Sequence, residues 1–169
     1  VVLLGGSGEN VVDLLSICLE EVMKWENHRV IVKLHPICES LGLVDRYADL
    51  ERAGLLARGE DLLSSIMASD LVISQVSTAI SEAVLLDRPV IWANFLRIRG
   101  YEAYLDDGAV LYAETKQELA KAIEQALYDE PAIQRLANAR RQMRVNFFGP
   151  EGQVPSENVA RIVNDMTGR

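Results

Sequence analysis

The run Asp70 to Asn94, DLVISQVSTAISEAVLLDRPVIWAN, decides the fold. Leu71 to Ile73 is a short apolar run that reads as a buried strand, and Val90 to Ala93 reads as the next one. Between them stand a polar turn, Ser74, Gln75, Ser77 and Thr78, and an apolar helix over about Ala79 to Leu86 that carries one acid, Glu82. Pro89 closes the connection. Strand, turn, helix and strand form a βαβ unit, whose crossover makes the two strands parallel.

In an open parallel sheet, ligands sit beyond the carboxyl ends of the strands. Ser77 and Thr78 stand at such an end and at a helix N-terminus. There, unpaired backbone N–H groups and the helix dipole favour an anion, typically phosphate. Glu82 follows Thr78 by four residues, about one turn into the helix. A carboxylate there can accept hydrogen bonds from the two hydroxyls of a ribose. The plainer reading stays beside this one: a serine or threonine that caps the helix, and an acid that complements its dipole.

Upstream, Val1 to Leu4 reads as a strand, Gly5-Gly6-Ser7-Gly8 as a glycine-rich turn, and Val11 to about Trp25 as a helix with apolar residues at helical spacing. The turn is either a second phosphate cradle or a tight turn that needs positive φ. It lacks the dinucleotide fingerprint, because Val11 occupies the third glycine position and His35-Pro36, not an acid, ends the second strand. NAD and FAD are therefore not expected, and without a Walker lysine the turn is no P-loop. Arg29 to Leu34 reads as the second strand. His35 at its carboxyl end faces the ligand side, where it can donate to a phosphate or act as acid–base, or simply pack. His28, at the far edge, is given no role.

Leu43 to Ala53 reads as a helix stopped by Gly54, Leu55 to Ala57 as a short third strand, Arg58 to Glu60 as a loop, and Asp61 to Ala68 as a short helix. Downstream, Phe95 to Asp107 is a loop with some helix, rich in Arg and Tyr, and Ala109 to Tyr112 is the last strand. Thr115 caps a helix to about Tyr128, with Glu118 placed for a capping box. Pro131 starts a helix to about Phe147, and Ser156 caps a final one. Arg135, Arg140, Arg141 and Arg144 form the one basic stretch, either a solvated helix face or a contact to another domain. Six short strands alternating with helices predict an α/β fold: a doubly wound six-stranded parallel sheet, Rossmann-like, in the order 3-2-1-4-5-6. The switch point then lies between strands one and four, which brings Gly6 and Ser7 beside Ser77 and Thr78.

The 169 residues suggest a single nucleotide-binding domain over 1–169, with the helices of 131–169 packing back onto it or toward an N-terminal domain. A charge of −8 disfavours nucleic acid and anionic membrane as main partners. No apolar run approaches the ~18 residues of a membrane span, which still leaves room for peripheral membrane association. Cys18 and Cys38 have no CxxC spacing and read as reduced thiols, which suggests a cytoplasmic setting. The chain opens on a strand with no initiator Met, so it is expected to be a piece of a longer protein cut near a domain boundary.

These residues resemble the C-terminal, nucleotide-binding half of GT-B-type glycosyltransferases. They look most like the CDP-glycerol glycerophosphotransferase family, with similarity extending to UDP-GlcNAc 2-epimerases and to the N-acetylglucosaminyltransferase that makes lipid II. The resemblance rests on Lys33-Leu34-His35-Pro36, on Asp70 to Ile91 with Ser77, Thr78, Glu82, Arg88 and Pro89 in place, and on the ending FFGPEGQVPSENVARIV. Gln75 and Val76 depart from it, standing where a tyrosine or aspartate is common. The resemblance implies that Ser77 and Thr78 hold a nucleotide diphosphate, Glu82 the ribose, Gly6 and Ser7 the diphosphate or acceptor, and Arg58 the neighbourhood of the base. His35 would be the catalytic candidate, touching the phosphate or assisting the leaving group. It implies a UDP- or CDP-linked sugar or polyol as substrate, no cofactor, no metal, and a transferase of surface-polysaccharide synthesis whose other half supplies the base. A UDP-sugar 2-epimerase and a non-catalytic nucleotide-binding module stand as alternatives.

Overall fold

The computed structural model describes residues 1–4, 11–26, 28–35, 48–53, 55–57, 61–75, 77–100, 102–149, 164 and 166. Five strands and seven helices lie among them: β1 (Val2–Leu4), α1 (Val11–Val22), β2 (Ile31–Lys33), α2 (Ala48–Arg52), α3 (Leu62–Met67), β3 (Val72–Ser74), α4 (Ala79–Leu85), β4 (Val90–Ala93), α5 (Ala103–Asp106), β5 (Val110–Ala113), α6 (Lys116–Leu127) and α7 (Glu130–Phe148). The strands form one parallel sheet in the order β2-β1-β3-β4-β5.

The expected order holds over these five, but the expected sixth strand does not form as one. Of Leu55 to Ala57, only Leu56 pairs, as a single parallel bridge to Val32 outside β2. Val32 N–H donates to Leu55 O at 2.7 Å and Ala57 N–H to Val32 O at 2.9 Å, which is all that one bridge holds. The other ladders are also shorter than the apolar runs suggest. Arg29 to Leu34 contributes only Ile31–Lys33, because its partner β1 offers three residues. Of the expected final helix after Ser156 only Asn164 and Met166 are described, both helical, and the 43–47 part of the helix before Gly54 lies outside the described residues.

The sheet is covered on both faces, so its strands are apolar on both sides rather than alternating with polar residues. Ile73, Ile91 and Ala93 face Leu15, Cys18 and Val22 of α1 and Leu119, Ala122, Ile123 and Ala126 of α6. Val72, Val90 and Trp92 face Ile66 of α3, Ile80, Ala83 and Val84 of α4, and Met143 of α7. The change of partner at each successive residue is the period-two side-chain alternation of a strand. Burial of each Val, Leu, Ile or Met side chain among them contributes about 1.5–3 kcal/mol.

Helix ends follow the sequence signals. Thr115 and Glu118 form the capping box: Thr115 Oγ1 accepts from Glu118 N–H and Glu118 Oε2 from Thr115 N–H, both at 3.2 Å. Asp129 caps α7 by accepting from Ala132 N–H at 3.2 Å, with Pro131 in the first turn. The end of α4 is a Schellman turn, with Arg88 N–H donating to Ala83 O at 2.9 Å and Asp87 N–H to Val84 O at 3.1 Å. Asp87 takes the left-handed conformation (φ 56°) that glycine usually fills there. Its carboxylate accepts from Arg140 Nε of α7 at 3.0 Å. Arg140 is therefore buried and no part of a solvated face.

Candidate functional site

Leu4 pairs with Lys33 on one side and with Ser74 on the other, so β1, β2 and β3 end level. The chain leaves β1 toward β2 and returns to β3 on the opposite flank. That makes the carboxyl end of the β1/β3 pair the switch point of the sheet. The segment from Gln75 into α4 rises from this edge.

Ser77 and Thr78 divide the helix start between them. Thr78 (φ −61°, ψ −19°) is already helical, and its side chain caps nothing. Ser77 does the capping: its Oγ accepts from Ala79 N–H at 3.2 Å. Ser77 O accepts from Ile80 N–H at 3.2 Å and Thr78 O from Ser81 N–H at 2.9 Å. The N–H groups of Ser77 and Thr78 and the exposed Thr78 hydroxyl make no hydrogen bond among the described residues. Glu82, one turn on and half-buried, has no hydrogen bond or ion pair to its carboxylate among them either. Three donors and an uncommitted acid thus share one helical turn at the switch point.

His35 is exposed, two residues beyond the end of β2. β1 lies between β2 and β3, so the strand ends before His35 and before the Ser77 turn are two strand spacings apart, about 10 Å. Gly6, Ser7 and Arg58 lie outside the described residues.

A cleft of about 380 Å³ opens at the carboxyl ends of β4 and β5, bordered by Arg97, Arg99, Glu102, Tyr112 and Glu114. Asn94, directly after β4, builds it. Asn94 Nδ2 donates to Ile98 O and to Tyr112 Oη, and its Oδ1 accepts from Ile98 N–H, all at 2.9 Å. Tyr112 Oη donates to Glu114 Oε1 at 2.6 Å, and Glu114 Oε2 meets Arg97 Nε at 3.2 Å. Burial, and then the bond to Glu114, raise the Tyr112 phenol above its ordinary value. Arg97 is held in a left-handed conformation (φ 53°) at the rim. The sequence signals this cleft only as an Arg- and Tyr-rich loop, and nothing local couples Asn94 to Tyr112, eighteen residues away.

A larger cavity, about 730 Å³, lies at the opposite edge, beside His28, Arg29, Asp70 and Tyr128. Tyr128 stacks on Trp25 at 5.1 Å and meets His28 Nε2 at 3.1 Å. Its size does not outweigh its position, since ligands of open parallel sheets bind at the carboxyl edge. Among the described residues no group of His, Cys, Asp or Glu is placed to hold a metal ion, and no helix is long and apolar enough to cross a membrane.

Strand order and the helices on both faces define a Rossmann-like, doubly wound α/β chain. Solved structures with this fold include the UDP-GlcNAc 2-epimerase of Methanocaldococcus jannaschii in complex with UDP-GlcNAc and UDP, at TM-score 0.58 and 19% identity. A second structure of that enzyme matches at TM-score 0.56 and 18% identity. A Listeria monocytogenes protein assigned as a UDP-N-acetylglucosamine 2-epimerase matches at TM-score 0.57 and 15% identity. The matches cover 88%, 88% and 90% of this chain but only 45%, 45% and 47% of those chains, so this chain spans about half their length. At these identities the likeness is one of fold. No protein-family model and no curated protein matches the sequence.

Proposed function

We propose that this chain is the nucleotide-binding part of an enzyme acting on a nucleotide-activated sugar or polyol. The observation that carries the reading is the turn Ser77 to Glu82 at the switch point: two N–H groups, a hydroxyl and an acid one turn on, none with a partner among the described residues. A diphosphate would lie against the N–H groups and the Thr78 hydroxyl, and Glu82 would accept from the ribose hydroxyls. Gly6 and Ser7 would face the same diphosphate from the β1 side, and Arg58 would lie near the base. The neighbouring fold gives independent support, since one of those enzymes is seen with UDP-GlcNAc and UDP.

The reaction would be glycosyl or glycerophosphoryl transfer in surface-polysaccharide synthesis, in a GT-B arrangement with a second domain across the cleft. In glycosyl transfer an acceptor hydroxyl would bond to the sugar carbon as the sugar–diphosphate bond breaks and the nucleoside diphosphate leaves. In glycerophosphoryl transfer it would bond to the distal phosphorus as the P–O–P bond breaks and the nucleoside monophosphate leaves. In both, charge builds on the oxygens of the departing phosphate. Fixed N–H donors stabilise that charge because they need no reorientation during the reaction. His35 would reach the phosphate or leaving group from the β2 side. A second reading is 2-epimerisation of a UDP-sugar, and what favours it is that the fold neighbours named above are described as such enzymes.

Calorimetric titration with UDP and CDP tests the shared part of both readings. Glu82→Ala should weaken the better ligand about tenfold or more, the worth of one or two hydrogen bonds to a charged acceptor. The fold should be untouched, because the carboxylate bonds nothing among the described residues. Unchanged affinity would remove the ribose role. Incubation with UDP-GlcNAc separates the two chemistries: an epimerised sugar without an acceptor supports the second, and turnover that requires an acceptor supports the first.

A further inference from the structure

Two carboxamides stand one residue beyond neighbouring strands, Gln75 after β3 and Asn94 after β4. Both are buried, 8% and 3% exposed. Asn94 spends its amide on three hydrogen bonds within the protein. Gln75 spends none: Nε2 is buried without a partner, and Oε1 bonds nothing among the described residues. Its backbone is not the cause, since Gln75 O already accepts from Ser74 Oγ at 3.1 Å. Burying a donor unpaired costs about 1–3 kcal/mol, and native proteins pair nearly all such groups. A cost borne at the switch point, between β3 and the Ser77 turn, points to a partner that arrives with the ligand.

We propose that Gln75 is a ligand-binding residue whose Nε2 donates a hydrogen bond to a phosphoryl oxygen of the nucleoside diphosphate, an assignment that rests on the nucleotide reading above. The group is neutral, so it adds a directed donor without adding charge, and the bond is charge-assisted on the phosphate side. An unpaired polar group that serves the ligand carries a signature that a structural one does not. Replacing it by an apolar side chain of similar shape removes the unpaid desolvation and does not destabilise the fold, while binding falls.

The experiment titrates UDP and uridine into wild type, Gln75→Leu and Gln75→Glu, with thermal unfolding of each. Gln75→Leu should bind UDP about tenfold more weakly, leave uridine affinity unchanged, and unfold at a temperature no lower than wild type. Gln75→Glu keeps the shape, sets a carboxylate against the phosphate and should weaken UDP further. Gln75→Leu binding UDP as wild type does would overturn the proposal, as would a parallel loss for uridine or a lowered midpoint together with weaker binding. Wild type binding neither UDP nor CDP would instead sink the nucleotide reading itself, and this assignment with it.

Discussion

Ser77 and Thr78 are adjacent hydroxyls with different work. Ser77 Oγ is used by Ala79 N–H, whereas Thr78 is left with a hydroxyl and an N–H to offer. Sequence could place both residues at a helix start, because the polar turn between two apolar runs is unambiguous. It could not say which of them caps, since that depends on a backbone in which Thr78 has already turned helical. Gln75 was legible only as a departure from a motif; its unpaired amide belongs to the packing around it. Cys18 was read as a reduced thiol inside a helix, and it is 2% exposed between α1 and the sheet. Burial disfavours the thiolate and pushes the thiol from 9.0 up to about 12. Because the folded value is raised, the contribution is complete below pH 9 and is lost as pH climbs toward 12. Raising the pH from 8.5 to 10.5 should cost wild type about 1–2 kcal/mol more than Cys18→Ala, measured by urea unfolding at each pH. Equal slopes would mean that the thiol ionises in the folded protein.

At the scale of elements, α4 is fixed at its carboxyl end by contacts that its sequence does not advertise. The helix is short, so its own hydrogen bonds specify little. Its placement comes from Ile80, Ala83 and Val84 against the sheet and from the Schellman turn at Asp87. Asp87 holds Arg140, whose side chain is only 6% exposed. Arg140 lies among arginines that look solvated in sequence, and its burial is invisible until α7 packs on α4. Asp87→Asn keeps a residue that tolerates the left-handed turn but removes the charge that Arg140 needs. Because Asp87 is half-exposed and water screens the pair, the loss should be about 1–3 kcal/mol rather than the full cost of an orphaned buried ion. Chemical denaturation of the variant checks it, and a change below a few tenths of a kcal/mol would mean that Arg140 finds water instead.

Across the whole molecule, the order of strands was legible because the βαβ pattern repeats and crossovers keep one hand. Strand lengths were not, because a ladder is only as long as its shorter partner: β1 limits β2, and Leu55 to Ala57 pairs at one residue. The cleft at the ends of β4 and β5 was hidden for a related reason, being closed by contacts between distant residues. What the order did fix is the location of the switch point, beside which Ser77, Thr78 and Glu82 lie; that they form one site is the proposal. A crystal structure with UDP or CDP bound tests that claim most directly. The account predicts the diphosphate against the Ser77 and Thr78 N–H groups, the ribose hydroxyls on Glu82 and a phosphoryl oxygen within hydrogen-bond reach of Gln75 Nε2. Nucleotide seated instead in the cavity at the amino edge, beside His28 and Tyr128, would contradict it.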